Sequence, residues 1–114
     1  MKKLTSKNNF RFSLIIPFYN SYAHFERCIK SIFKSYLMPF EIIVVDDCSL
    51  KSQSKKCKQL LQKVKKFNTK YFLLKKNLGP GGARNYGAKK SSHNLVFFID
   101  SDTEVLKDTF SVFE

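Results

Sequence analysis

The order of apolar runs along this chain predicts an α/β fold: a mostly parallel sheet with helices on both faces. Three observations predict it. Four short apolar runs alternate with longer stretches of helical character, in the order strand, helix, strand, helix, strand, helix, strand. The runs are continuous rather than alternating apolar and polar, as expected of strands covered on both sides. With 114 residues, 43% of them hydrophobic and 12 of them Phe, the chain has the apolar mass for one core, far more than a disordered tail carries.

The first run, Phe12-Ser13-Leu14-Ile15-Ile16, is closed by Pro17, which cannot donate to a central ladder, so a strand ending in a loop is expected there. Asn20-Ser21 offers a helix cap. Tyr22, Phe25, Ile29, Ile32, Phe33 and Tyr36 then recur at helical spacing, predicting a helix over 21–36 that Pro39 follows. The β-branched run Glu41-Ile42-Ile43-Val44-Val45 predicts a second strand, ending at Asp46-Asp47. A lysine-rich helix is expected over 51–66, with Leu60, Leu61 and Val64 inward. Tyr71-Phe72-Leu73-Leu74 reads as a third strand. The loop Asn77 to Gly82 leads into a helix from Ala83 to about Lys90, and Leu95-Val96-Phe97-Phe98-Ile99 is the fourth strand. Right-handed crossovers bring the carboxyl ends of all these strands to one edge, where ligands of open α/β sheets bind.

Charge is distributed unevenly. Residues 1–47 carry a net +3, residues 48–99 thirteen basic and no acidic side chains, and residues 100–114 a net −4, for +12 overall. Three cysteines without C-x-x-C spacing argue against a disulfide framework or a zinc site and fit reduced thiols. The longest apolar run near the amino end, Leu14-Ile15-Ile16, is too short for a signal-peptide core. A cytoplasmic location is therefore expected, and the basic surplus leaves peripheral attachment at the inner face of a membrane open.

Four polar clusters fall at the expected carboxyl edge. Asp100-Ser101-Asp102 follows a hydrophobic strand. Its two carboxylates suit a hard divalent cation shared with substrate phosphates, and the same triplet is good turn chemistry. At Asp46-Asp47 a carboxylate can accept from a base N–H or a ribose hydroxyl, or Asp47 or Ser49 can cap the next helix. Tyr19 can stack on a nucleobase or close the core. Gly79-Pro80-Gly81-Gly82-Ala83-Arg84 matches neither dinucleotide nor P-loop patterns, but glycines before a helix admit an anion, and Arg84 can pair with a phosphate or an acidic cluster. His24 and His93 have no paired partners in the sequence and read as surface residues.

Taken together, these residues resemble the nucleotide-sugar-binding half of the inverting GT-A glycosyltransferases of family 2. The resemblance is carried by the stretch from Phe12 to Asn20, the stretch from Phe40 to Ser49, Asn77-Leu78-Gly79, Ala83-Arg84-Asn85-Tyr86-Gly87 and Phe98-Ile99-Asp100-Ser101-Asp102. It implies a Rossmann-like half of a GT-A fold, with residues 1–11 a basic N-terminal extension and 12–114 the domain. It also implies transfer of a sugar from a nucleoside diphosphate donor, commonly a UDP-sugar, with inversion. Carried over by position, Pro17, Tyr19 and Asn20 line the nucleoside pocket, Asp47 contacts the base, and Asp46 supports its loop. Arg84 sits near the nucleotide, Asp100 faces the ribose or metal, and Asp102 binds Mn²⁺ or Mg²⁺. Cys48-Ser49-Leu50-Lys51 departs from the glycine or asparagine and Ser-Thr-Asp usual in that loop.

In this family the acceptor site and the general base lie beyond the position of residue 114. The expectation is thus a truncated domain, inactive alone, whose acceptor site a downstream domain or partner chain supplies. Phosphatases and receiver domains that use strand-end aspartates place them differently in the chain. The alternative of another class is a basic nucleic-acid-binding module, resting on the lysines of 48–99. A solvated helix face explains most of those lysines, and no recognition motif accompanies them.

Overall fold

The computed structural model describes residues 11–64 and 67–111, so most of the expected basic extension, and Glu114, lie outside the described residues. Among the described residues four strands and three helices alternate: β1 (Ser13–Phe18), α1 (Tyr22–Phe33), β2 (Glu41–Asp46), α2 (Lys51–Lys63), β3 (Thr69–Leu73), α3 (Gly79–Lys90) and β4 (Val96–Phe98). Every pairing is parallel, and the strand order is β3-β2-β1-β4. The chain steps outward from β1 to β3, then returns to the other side of β1. That reversal opens a crevice at the carboxyl ends of β1 and β4, the switch point at which such sheets bind ligands.

Strand parity divides the core. Leu14, Ile16, Phe18, Ile42 and Val44 pack with Phe25, Ile29 and Ile32 of α1 and with Cys57, Leu60 and Leu61 of α2. Ile15, Ile43 and Val45 turn to the opposite face and meet Ala83 of α3, with Tyr86 alongside. β1 and β2 are therefore covered on both faces, while the outer strands β3 and β4 are only partly buried. Phe110, far along the chain, returns to the larger cluster and packs on Phe12 with ring centroids 5.3 Å apart. Among the described residues no helix is long and apolar enough to cross a membrane.

The ends of several elements differ from expectation. β1 does not stop before Pro17; it continues to Phe18, with Pro17 opposite Val45. The peptide groups of Ser13 and Ile15 bond toward β4, where Ser13 N–H meets Leu95 C=O at 3.0 Å and Ile99 N–H meets Ile15 C=O at 3.2 Å. Pro17 shares that parity, and the β4 pairing ends at Ile15–Phe98, so its missing N–H breaks no bond. α1 stops at Phe33 because Tyr36 N–H bonds Lys107 C=O at 2.7 Å and the Ser35 hydroxyl satisfies the helix end at Ile32 C=O. α3 starts at Gly79, four residues early: the glycine-rich loop is its first turn, with Pro80 in a position that needs no N–H. The expected helix to residue 66 is described to Lys63, followed by a turn at Val64; residues 65 and 66 lie outside the described residues.

Candidate functional site

A cleft of about 610 Å³ opens at the β1/β4 switch point. The sequence-predicted residues Pro17, Tyr19, Asp47, Arg84, Asp100 and Asp102 all line it. Asn20 and Asp46 do not. The site is thus assembled from the loops after β1, β2 and β4 together with the start of α3.

Tyr19 stands 53% exposed at the cleft, so its ring is available for stacking and does not close the core. Asn20 takes a left-handed backbone, φ 49°. Its N–H donates to Ser49 Oγ at 3.0 Å, and its Oδ1 accepts from Leu50 N–H at 2.8 Å, clasping the β1 loop to the β2 loop. Ser21 occupies the N-cap position of α1, its C=O accepting from Phe25 N–H at 2.9 Å, but its side chain makes no capping bond. Tyr22 N–H donates instead to Gln53 Oε1 at 2.9 Å, and Ser21 Oγ bonds Ser101 Oγ at 2.8 Å, tying the start of α1 to the Asp-Ser-Asp loop.

The two neighbouring aspartates face opposite sides of the sheet. Asp46, the last residue of β2, shares the parity of Val44 and is buried beneath α2. Its Oδ1 accepts from Ser49 N–H at 3.0 Å, and its Oδ2 accepts from the hydroxyls of Ser54 and Tyr71. Burial and then the bond to Asp46 push the Tyr71 phenol well above its ordinary range, so it stays a donor. Asp47 shares the parity of Val45. Its Oδ1 accepts from Leu78 N–H at 2.7 Å and its Oδ2 from Gly79 N–H at 3.0 Å, capping α3 from another loop. The following Cys48 sits at φ 63°, a left-handed backbone that glycine or asparagine holds with less strain.

Arg84, one turn into α3, reaches Asp100 with Nη2–Oδ1 at 3.0 Å. Both side chains are partly exposed, so this pair is a weak restraint and its groups remain available to a ligand. Asp100 and Asp102 form a hard oxygen set on one loop. Among the described residues no three metal-ligating side chains converge. The donor set therefore fits an ion that takes one or two carboxylates and completes its shell with substrate phosphates and water, as Mg²⁺ and Mn²⁺ do.

Residues not anticipated also line the cleft. His24, read as a surface residue, forms part of the wall with Nδ1 2.9 Å from Arg27 Nη2. Arginine only donates, so in this contact Nδ1 is the acceptor. The place of His24 in the first turn after β1 was the available signal. Cys28 lies behind the Asp-Ser-Asp loop. Burial first, then Asp102 and Glu104, raise its thiol to about 12, so it is a packing group and no nucleophile.

The family model for Glycosyl transferase family 2 matches residues 13–113. The chain belongs to that family. Its curated relatives include TarS of Staphylococcus aureus, a poly(ribitol-phosphate) β-N-acetylglucosaminyltransferase, 36% identical over 106 residues. The alignment covers 87% of this chain and 17% of TarS, so the chain spans about a sixth of that relative. Among solved structures, S. aureus TarS 1-349 in complex with UDP-GlcNAc superposes with a TM-score of 0.77 at 34% identity, covering 90% of this chain and 30% of that one. GalNAc-T7 with UDP, GalNAc and Mn²⁺ superposes at 0.73 with 27% identity, over 89% of this chain and 20% of its own. The family 2 fold accounts for the parallel sheet, the switch point and the order of the motifs around the cleft.

Proposed function

We propose that this domain binds a nucleoside diphosphate sugar, with UDP-sugars first, together with Mn²⁺ or Mg²⁺, as the donor half of an inverting sugar transfer. The observation that carries the reading is the gathering of Tyr19, Asp47, Arg84, Asp100 and Asp102, remote in sequence, around one cleft. The structures of TarS with UDP-GlcNAc and of GalNAc-T7 with UDP and Mn²⁺ support the same ligand class.

In this reading Tyr19 stacks on the base. Asp47 has acceptor capacity left beyond its two backbone bonds, and takes a base N–H. Arg84 exchanges Asp100 for a phosphate oxygen, a bidentate partner of the same charge. Asp100 and Asp102 hold the divalent ion, which when bound neutralises the charge developing on the leaving diphosphate. Deprotonation of an acceptor hydroxyl would need a carboxylate within hydrogen-bond reach of it. Asp108 is exposed on the turn after Asp102 and is not assigned that task. The acceptor and the general base belong to the whole protein's activity.

Calorimetric titration with UDP-GlcNAc tests the reading. Binding is expected with Mn²⁺ and lost on chelation, and Asp102→Asn is expected to abolish it even with Mn²⁺ present while leaving thermal unfolding unchanged. No binding of any nucleotide sugar, with or without metal, overturns it.

A further inference from the structure

A second concavity, about 640 Å³, runs between α2 and the edge strand β3, and the sugar-nucleotide reading does not use it. It is lined by Lys51, Lys55 and Lys58 of α2 and by Lys75 beyond β3. The three helical lysines lie at i, i+4 and i+7, so they share one face and rise about 6 Å and about 4.5 Å apart along it. Among the described residues none of these four lysines meets a carboxylate. The stretch 48–99 contains no acid that could supply one; of the nearest acids, Asp46 is buried and holds three donors, and Asp47 lines the cleft and caps α3. Two leucines break the polar surface: Leu73, 54% exposed in the floor of the groove, and Leu50, 67% exposed at the start of α2.

Lysines without a carboxylate partner, of which among the described residues Lys58 alone lies over a ring (Tyr71, 6.0 Å to the centroid), fit an anionic lipid surface when exposed leucines stand beside them. Phosphate headgroups meet the lysines, and the leucines gain an apolar environment at the headgroup boundary. Nucleic acid fits less well, because among the described residues no aromatic ring lines the groove for a base to stack on; Tyr71, under Lys58, is half-buried and bonded to Asp46. We propose that the face formed by α2 and the β3 edge docks this domain on an anionic membrane surface. The Cys48-Ser49 turn borders the groove, and Asp47, the residue before it, lines the cleft. Docking therefore holds the cleft one loop away from the lipid headgroups.

Cosedimentation with vesicles tests this independently of nucleotide binding. Vesicles of phosphatidylserine and phosphatidylcholine in equal amounts are expected to bind the chain, and phosphatidylcholine alone to leave it in solution. Each lysine replaced in the series Lys51→Gln, Lys55→Gln, Lys58→Gln is expected to weaken binding about fivefold. The corresponding Lys→Arg series keeps it. Leu73→Ser is expected to weaken binding further at high salt, where the charge attraction is screened and apolar contact remains. All these side chains are exposed, so the variants are expected to keep wild-type circular dichroism. Equal binding by the triple glutamine variant overturns the proposal. So does salt-sensitive binding to single-stranded RNA, unchanged by Leu73→Ser, with no binding to the vesicles.

Discussion

Asp46 and Asp47 are adjacent, chemically identical and placed in different environments by a single step of strand parity. Asp46 holds three donors in the interior, and Asn in its place keeps the shape but presents an NH₂ to one set of donors. Asp46→Asn is expected to destabilise the fold by about 2–3 kcal/mol, read from urea unfolding. Tyr71→Phe removes one of the three donors and is expected to cost about 1–2 kcal/mol in the same measurement. Asp47→Asn acts elsewhere, loosening the cap of α3 by about 1 kcal/mol and weakening nucleotide binding through the start of that helix. A finding that Asp46→Asn impairs binding without destabilising the fold would contradict this division of labour.

Among the elements, α3 is the one whose sequence most constrains its packing. It crosses β1 and β2 with Gly87 against the sheet, where an added Cβ would stand 2.5 Å from Ile15 Cγ2 and 3.1 Å from Val45 Cγ2. Gly87→Ala must push the helix outward, and about 1–3 kcal/mol of destabilisation is expected by thermal melting. Arg84 rides on the same helix one turn earlier, so the variant is also expected to weaken nucleotide binding. The sequence showed that a helix follows the glycines but not that it begins at Gly79. Glycine and proline lower helix propensity, and here the Asp47 carboxylate, thirty-one residues away from Leu78, satisfies the first turn. Long-range capping leaves no local mark. The split of Asp46 from Asp47, in contrast, was available from the alternation Ile42, Val44, Asp46 against Ile43, Val45, Asp47, and would have predicted which carboxylate reaches the cleft.

For the molecule as a whole, the amino-terminal end of the sheet is held together as the carboxyl end is held open. Glu41, fully buried, accepts from Ser13 Oγ at 2.9 Å, Ser92 N–H at 2.7 Å, Ser92 Oγ at 3.0 Å and Lys70 Nζ at 3.0 Å, joining β1, β2, β3 and the chain after α3. Burial alone would raise its pKa; the Ser92 N–H, then Lys70 and the two hydroxyls, outweigh burial and hold the carboxyl below its ordinary 4.5. A lowered folded value means that the stabilisation is fully present above about 4.5 and is lost as the pH falls through the folded value. Glu41→Gln is expected to lower stability at neutral pH by about 2 kcal/mol and to flatten that acid limb, as measured by denaturant unfolding across pH. An acid limb as steep in the variant as in the wild type would assign it to other carboxylates.

The order of elements, the parallel sheet and the motifs at its carboxyl edge were legible because each rests on local periodicity. Phe110 packing on Phe12 and the clasp between Asn20 and the β2 loop were not, since each joins residues whose spacing carries no signal.

Pro17 gives the crevice a covalent guarantee. The ladder between β1 and β4 advances by alternate rungs, and the next one after Ile99 N–H to Ile15 C=O would run from residue 17 to the Ile99 carbonyl. An ordinary amide there could zip the two strands one step further and draw the Asp-Ser-Asp loop against Tyr19. Proline has no hydrogen to give, so that rung cannot form, and the two strands part where the cleft begins.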